Sequence, residues 1–253
     1  MDKRIVITGG ASGIGSAAAS LFIDKGWAVA IADRDLEAAT SLAEALGPAA
    51  TAIGVDVLEA DALAAALADY CGDQGLNALF NSAGLLDMRR WVDTPLKRQY
   101  QIFDVNVKGV LNALHAAVPH LRKTPGAQIV TMSSAAAIYG VPEEAVYSAS
   151  KFAVRALTEA LNVEFEPMDI WVSDLMVGFV NTPMVNGAEH KSKCVEILGI
   201  NVEPNDVAAT VWRAVNERRV HWFVAQGDED YFNEINRISP DERRTMIRAV
   251  TGC

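Results

Sequence analysis

RIVITGGASGIG, residues 4–15, is a short apolar run that stops at glycines and then passes into helix-forming sequence. Gly9, Gly13 and Gly15 stand in a G-x-x-x-G-x-G spacing. Glycine has no Cβ, so the backbone here can come close to a pyrophosphate and bend sharply into a helix. The N-terminus of that helix would present free N–H groups and a positive dipole to phosphates. A tight strand-to-helix turn without a ligand is the other meaning of such a triplet. Its position between a buried strand and a helix favours a dinucleotide site.

Outward from this turn the same unit repeats. Apolar runs at 27–33, 50–57, 76–84, 127–134, 170–178 and 220–227 alternate with helix-periodic stretches at 16–25, 36–46, 60–70, 95–121 and 204–219. A further helix carries Tyr147 and Lys151. Strands that are apolar throughout and each followed by a helix imply a parallel sheet covered on both faces. Right-handed crossovers then favour an α/β doubly wound sheet of about seven strands over a closed barrel. No repeat, low-complexity segment or linker divides the 253 residues, which read as one domain, 1–253. Residues 181–203 are of mixed polarity and weak periodicity, and are expected to be a mobile substrate flap or short helices near a strand end.

The composition narrows the function. Thirty-two acidic against 22 basic side chains give a formal net charge of −10. That balance repels phosphate backbones and anionic lipid surfaces, so neither nucleic acid nor membrane is an expected partner. Cys71, Cys194 and Cys253 are far apart, and the four histidines make no ligand pattern. Neither a disulfide framework nor a metal site is expected, and a cytoplasmic location suits the unpaired cysteines. No apolar run is long enough to span a bilayer, and MDKRIVITGG leaves no room for a signal peptide.

At the dinucleotide end, Asp33 closes the second strand eighteen residues after Gly15. A carboxylate there can accept from both adenosine ribose hydroxyls and would repel a 2′-phosphate. Asp33 could instead cap the following helix, and Arg34 next to it could hold a phosphate. The pair favours NAD, with NADP the less favoured cofactor. Asp56 and Val57, read as ending the third strand, are placed to meet the adenine. NSAG at 81–84 ends the fourth strand with small residues that let backbone pass close to a cofactor.

At the other end Tyr147 and Lys151 are four apart and share a helical face. Ser134 ends the strand at 127–134, and Asn106 is an amide inside a helix. Together with T-G-x-x-x-G-I-G at 8–15, N-x-A-G at 81–84, N-V at 106–107, Y-S-A-S-K at 147–151 and G-F-V-N-T-P at 178–183, these residues resemble the short-chain dehydrogenase/reductase family along essentially the whole chain. The resemblance implies a Rossmann-like fold and an NAD(H)-dependent interconversion of a secondary alcohol and a ketone. It makes Tyr147 the general acid/base and Ser134 its partner on the substrate oxygen. Lys151 would bind the nicotinamide ribose beside Tyr147 and lower the tyrosine pKa, and Asn106 would hold a water linking Lys151 to solvent. The resemblance adds Ser12, Ile14, Asn81, Ala83, Gly84, Gly178, Val180 and Thr182 to the cofactor contacts. Ser82 and Val177 depart from the family's usual asparagine and proline, which touches only the seating of the nicotinamide.

The substrate wall is expected from 85–91, 135–142 and Met184–Val185, with Ala136 leaving room and Tyr139, Trp91, Met88 and Met184 giving apolar surface for a hydrophobic alcohol or ketone. Phe152, Ala156 and Ala160 widen the apolar stripe of the Tyr147 helix beyond a core-facing band, which predicts a homodimer or homotetramer. The rival functions are a non-catalytic dinucleotide sensor, an NADPH-dependent carbonyl reductase, and an epimerase of the nucleotide-sugar kind. The complete Asn106, Ser134, Tyr147, Lys151 set speaks against the sensor, and the glycine spacing against the epimerase.

Overall fold

The computed structural model describes residues 3–252, so Cys253 lies outside it. Seven runs form strands: β1 (Arg4–Thr8), β2 (Ala28–Asp33), β3 (Ala50–Gly54), β4 (Ala78–Asn81), β5 (Ala127–Met132), β6 (Ile170–Met176) and β7 (His221–Phe223). They make one parallel sheet in the order β3-β2-β1-β4-β5-β6-β7. The order runs outward in both directions from β1 and β4. Thr8 at the end of β1 is in register with Ala32 on one side and Asn81 on the other. The carboxyl ends of these strands therefore border the crevice where an open sheet of this kind binds ligands.

The first six helices are α1 (Gly13–Asp24), α2 (Leu36–Leu46), α3 (Ala60–Cys71), α4 (Leu96–Phe103), α5 (Gly109–Leu121) and α6 (Ala145–Glu164). Then come α7 (Pro183–Asn186), α8 (Lys193–Leu198), α9 (Pro204–Ala214), α10 (Gln226–Ile235) and α11 (Pro240–Thr251). On one face of the sheet α1, α2 and α9 bury Phe22, Ala39, Val207 and Val211 with Trp27 and Trp222. Phe22, Trp27 and Trp212 meet edge to face there. On the other face α3, α5 and α6 bury Leu63, Leu67, Leu114, Leu121 and Val154. Covering both faces is what the uniformly apolar strands require, and each large side chain so buried contributes about 1.5–3 kcal/mol.

Several boundaries differ from those read off the sequence. β3 stops at Gly54, so Asp56 and Val57 belong to the loop after it. The apolar alternation of VDV continues past the last paired residue, which is why the run read longer. The helical stretch from Pro95 is not continuous: a π-helical turn at Asp104–Lys108 joins α4 to α5. The last strand is only three residues, and the two helices after it, α10 and α11, had no counterpart in the sequence reading. Residues 181–203 hold two short helices, α7 and α8, and their ends are drawn together by a parallel bridge between Val180 and Val202.

Candidate active site

The turn between β1 and α1 is built on glycines for steric reasons visible in the fold. Gly9 has φ +63°, and a Cβ on it would stand 2.7 Å from the Ala83 Cα. A Cβ on Gly15 would stand 2.1 Å from the Gly9 carbonyl oxygen. The turn thus lies directly against the end of β4. Ser12 precedes α1 without a side-chain cap, and the first turn carries no acidic residue. Its N–H groups have no intrahelical partners and stay available to an anion.

A cavity of about 240 Å³ opens over this turn. Gly9, Ser12, Gly13 and Ile14 form one wall, Ala83 and Gly84 another, and Asp33, Arg34, Asp56 and Val57 the far end. Asp33 does not cap α2; the Asp35 carboxylate does, accepting from Ala38 N–H at 3.0 Å. The Asp33 carboxylate instead accepts from Ala11 N–H and Asp35 N–H, both at 3.1 Å, which fixes its orientation at the cavity end. Two bonds leave half of a carboxylate's acceptor sites for ribose hydroxyls. The Asp56 carboxylate turns back to Leu58 N–H, and the Val57 carbonyl accepts from Asn112. Asn81 lies behind the cleft, donating from Nδ2 to Thr131 Oγ1 at 3.1 Å. Open space, unsatisfied helix N–H groups and an oriented carboxylate together suit a dinucleotide.

The second part of the cleft holds Ser134, Tyr147 and Lys151, with Gly178, Val180 and Thr182 beside them and Ala136, Tyr139 and Met184 further out. It shares Ile14, Ser82, Gly84, Leu85, Thr182 and Met184 with the first part, so the two are one continuous groove. Ser134 follows β5, lines the same part of the cleft as Tyr147, and donates from its hydroxyl to the Val177 carbonyl at 3.5 Å. The same hydroxyl accepts from Ala136 N–H at 3.1 Å. Lys151 is buried, its Nζ donating to the Met132 carbonyl at 2.7 Å and standing 5.6 Å from the centre of the Tyr147 ring. One helical turn between them on α6 accounts for this pairing.

The electrostatics differ from what the tyrosine–lysine pairing suggested. Burial pushes the Tyr147 phenol above its ordinary value, the Ser134 hydrogen bond opposing it and Glu144 adding to it. Burial also pulls Lys151 down to about 8, against the attraction of Asp174. Burial is thus the largest influence on both groups, raising the phenol and lowering the ammonium.

Asn106 sits fully buried in the π-helical turn. Its Oδ1 accepts from Leu85 N–H at 2.7 Å, and its Nδ2 donates to the Leu85 carbonyl at 2.9 Å and to Ser150 Oγ at 3.0 Å. Ser150 in turn donates to the Tyr147 carbonyl at 2.6 Å. The amide thus ties the loop after β4 to the start of α6, and the wide turn aims it there. Two expected wall residues lie elsewhere. Trp91 is 61% exposed, and Met88 faces a side groove between its own loop and the segment 183–190. Sequence reading missed Glu144 and Cys194, which line the cleft beside Tyr139 and Tyr147.

Residues 3–193 match the profile of the short chain dehydrogenases. The chain belongs to this family. It is 32% identical over 236 residues to a sorbitol dehydrogenase of Cereibacter sphaeroides, covering 90% of this chain and 92% of that one. It is 30% identical over 226 residues to a cyclopentanol dehydrogenase of Comamonas testosteroni, covering 85% and 90% respectively. Among solved structures it superposes on a short chain dehydrogenase/reductase from Burkholderia phymatum in complex with NAD. The TM-score is 0.82 at 25% identity, with 92% of each chain covered. As a family member the protein is an oxidoreductase, and no helix among the described residues is long and apolar enough to cross a membrane.

Proposed function

We propose that this oxidoreductase interconverts a secondary alcohol and its ketone with NAD(H), using Tyr147 as general acid/base. The observation that carries the reading is the single groove with the glycine turn and Asp33 at one end and Ser134, Tyr147 and Lys151 at the other. The glycine turn, Asp33 and Lys151 would hold a nicotinamide dinucleotide, which would supply the hydride acceptor or donor. Tyr147 takes the carbinol proton during oxidation and returns it to the carbonyl oxygen during reduction. Ser134 donates a hydrogen bond to the same oxygen while negative charge develops on it. Lys151 holds its ammonium one turn along α6 from Tyr147 and favours phenolate whenever the lysine is charged. The Lys151 Nζ stands about 4.0 Å from where a Cβ on Gly84 would lie, so the ammonium borders the cofactor part of the groove. Asn106 fixes the strand-end loop and the backbone of α6 in one arrangement, and a water held beside it would carry protons to Lys151.

NAD is preferred over NADP because the oriented Asp33 carboxylate would stand against a 2′-phosphate. Walls formed by Val141, Phe179, Val185 and Leu198 suit a largely hydrocarbon substrate. Tyr100, Phe103, Leu111 and Phe152 are each exposed on α4, α5 and α6 and mark the face by which two copies would pair. The names of the relatives, a polyol and a cyclic alcohol dehydrogenase, are in keeping with a small alcohol. Initial rates with NAD and with NADP against a panel of secondary alcohols test the reading. Turnover faster with NAD is the expected result. Turnover with NADP alone would overturn the cofactor assignment, and none with any alcohol or ketone would leave a dinucleotide-binding protein.

A further inference from the structure

Among the residues lining the catalytic end of the cleft, Glu144 is the one acidic side chain. It occupies the cap position of α6 yet makes no side-chain cap hydrogen bond. The preceding Glu143 has φ +67°, a backbone setting rare outside glycine, and the Glu144 side chain lines the cavity. Glu144 is only 3% exposed. The Ser192 hydroxyl, itself fully buried in the segment before α8, donates to its Oε1 at 2.7 Å. Tyr147 lies three residues further along the same helix, so both side chains belong to one face. A carboxyl group taken out of water is costly, and a single neutral donor is a thin compensation for it. Its local alternative, capping α6, is not used. A carboxylate offers about four acceptor sites, and the cavity is where further donors can come from.

We propose that Glu144 is a specificity-determining residue that accepts a hydrogen bond from a second hydroxyl group of the substrate, so that the preferred substrates are secondary alcohols carrying a further hydroxyl within two or three carbons of the reacting one. The inference rests on the reading of Tyr147 as the group that meets the reacting hydroxyl. The hydrocarbon part of such a substrate lies against Val141 and Met184, and the second hydroxyl lies against Glu144, whose Oε1 is held by the buried Ser192 hydroxyl. Of two alcohols with the same skeleton, the diol keeps the Glu144 carboxylate hydrogen-bonded, whereas the mono-ol displaces solvent from it without replacing the bond.

The test compares kcat/KM for butan-2-ol against butane-2,3-diol and for pentan-2-ol against pentane-2,4-diol, in wild type, Glu144→Gln, Glu144→Leu and Ser192→Ala. In wild type the diol of at least one pair is expected to be preferred about 10- to 100-fold, the effect lying mainly in KM. Glu144→Leu is expected to remove that preference, Glu144→Gln to reduce it, and Ser192→Ala to retain it. A preference equal in wild type and Glu144→Leu would overturn the inference. So would equal losses for mono-ol and diol accompanied by a lower Tm, which is the signature of a purely structural carboxyl. Wild-type turnover of mono-ols without preference for diols would overturn this inference and leave the Tyr147 reading standing. If none of these four alcohols turns over, the diol assignment falls, and the wider panel of alcohols and ketones decides the Tyr147 reading. If the Glu144 variants do not fold, the diol affinities of wild type and Ser192→Ala in the presence of NAD, by calorimetry, decide instead. Diol binding no tighter than mono-ol in both proteins would overturn it.

Discussion

Replacing Asn106 by alanine removes three hydrogen bonds at once, of 2.7, 2.9 and 3.0 Å, from a residue with no exposure. Two of the three partners are the N–H and C=O of Leu85, and the third is the Ser150 hydroxyl. Ser150 keeps its own donation to the Tyr147 carbonyl, so its loss is the smaller one. Leaving a buried polar group unpaired costs about 1–3 kcal/mol each. Leu85 is half-buried, which lets water recover part of that cost and places each of its groups at the low end. The total expected is about 3 kcal/mol, or roughly 6–12 °C in Tm for a chain of this length. Thermal unfolding followed by circular dichroism, with urea unfolding for the free energy, measures it. Leu85 borders both parts of the groove, so weaker NADH binding should accompany the loss of stability. A Tm within 2 °C of wild type would refute the Asn106 clamp between the Leu85 loop and α6. Full stability with lost turnover would instead assign Asn106 to proton relay alone.

Two further outcomes follow from particular groups. Burial pushes the Glu144 carboxyl from its ordinary 4.5 to about 7, so the folded chain binds more protons than the unfolded one between those values and loses stability as pH rises through them. Glu144→Gln should therefore be the more stable protein at pH 8, by at most about 3 kcal/mol, and close to wild type at pH 4.5; a variant equally shifted at both pH values would contradict this. By light scattering at low micromolar concentration, wild type should run at two or four times 27.2 kDa, and Leu111→Glu with Phe152→Glu should lower that mass; a monomeric wild type would contradict the proposed helix face.

The parts of the fold that could be read in the sequence are those fixed by local rules. The glycine turn was legible because Gly9 and Gly15 have no room for a Cβ, and the sheet because β1, β2, β4, β5 and β6 are buried along most of their length. Tyr147 and Lys151 were legible because one helical turn makes them neighbours. The π-helical turn was not, since the extra residue at Asp104–Lys108 leaves the apolar pattern on either side intact. α10 and α11 carry a signal that could have found them: Tyr231, Phe232, Ile235, Met246 and Ile247 recur at helical spacing and pack together beside the cleft. Their polar remainder masks that spacing in the sequence. Glu144 and Ser192 are 48 residues apart, and only the tertiary fold brings the hydroxyl to the carboxyl. Trp91 was misplaced because apolarity alone does not say which way a loop residue points.

In the proposed function Tyr147 transfers the proton in an NAD(H)-dependent reaction for which the rest of the groove binds and positions the reactants. The measurement that tests it most directly is turnover together with NADH affinity for Tyr147→Phe beside wild type, using whichever alcohol or ketone the wild type handles best. Loss of turnover by at least about a thousandfold, with the NADH dissociation constant changed less than about threefold, is the predicted result. Turnover within tenfold of wild type would contradict it and remove Tyr147 from the chemistry.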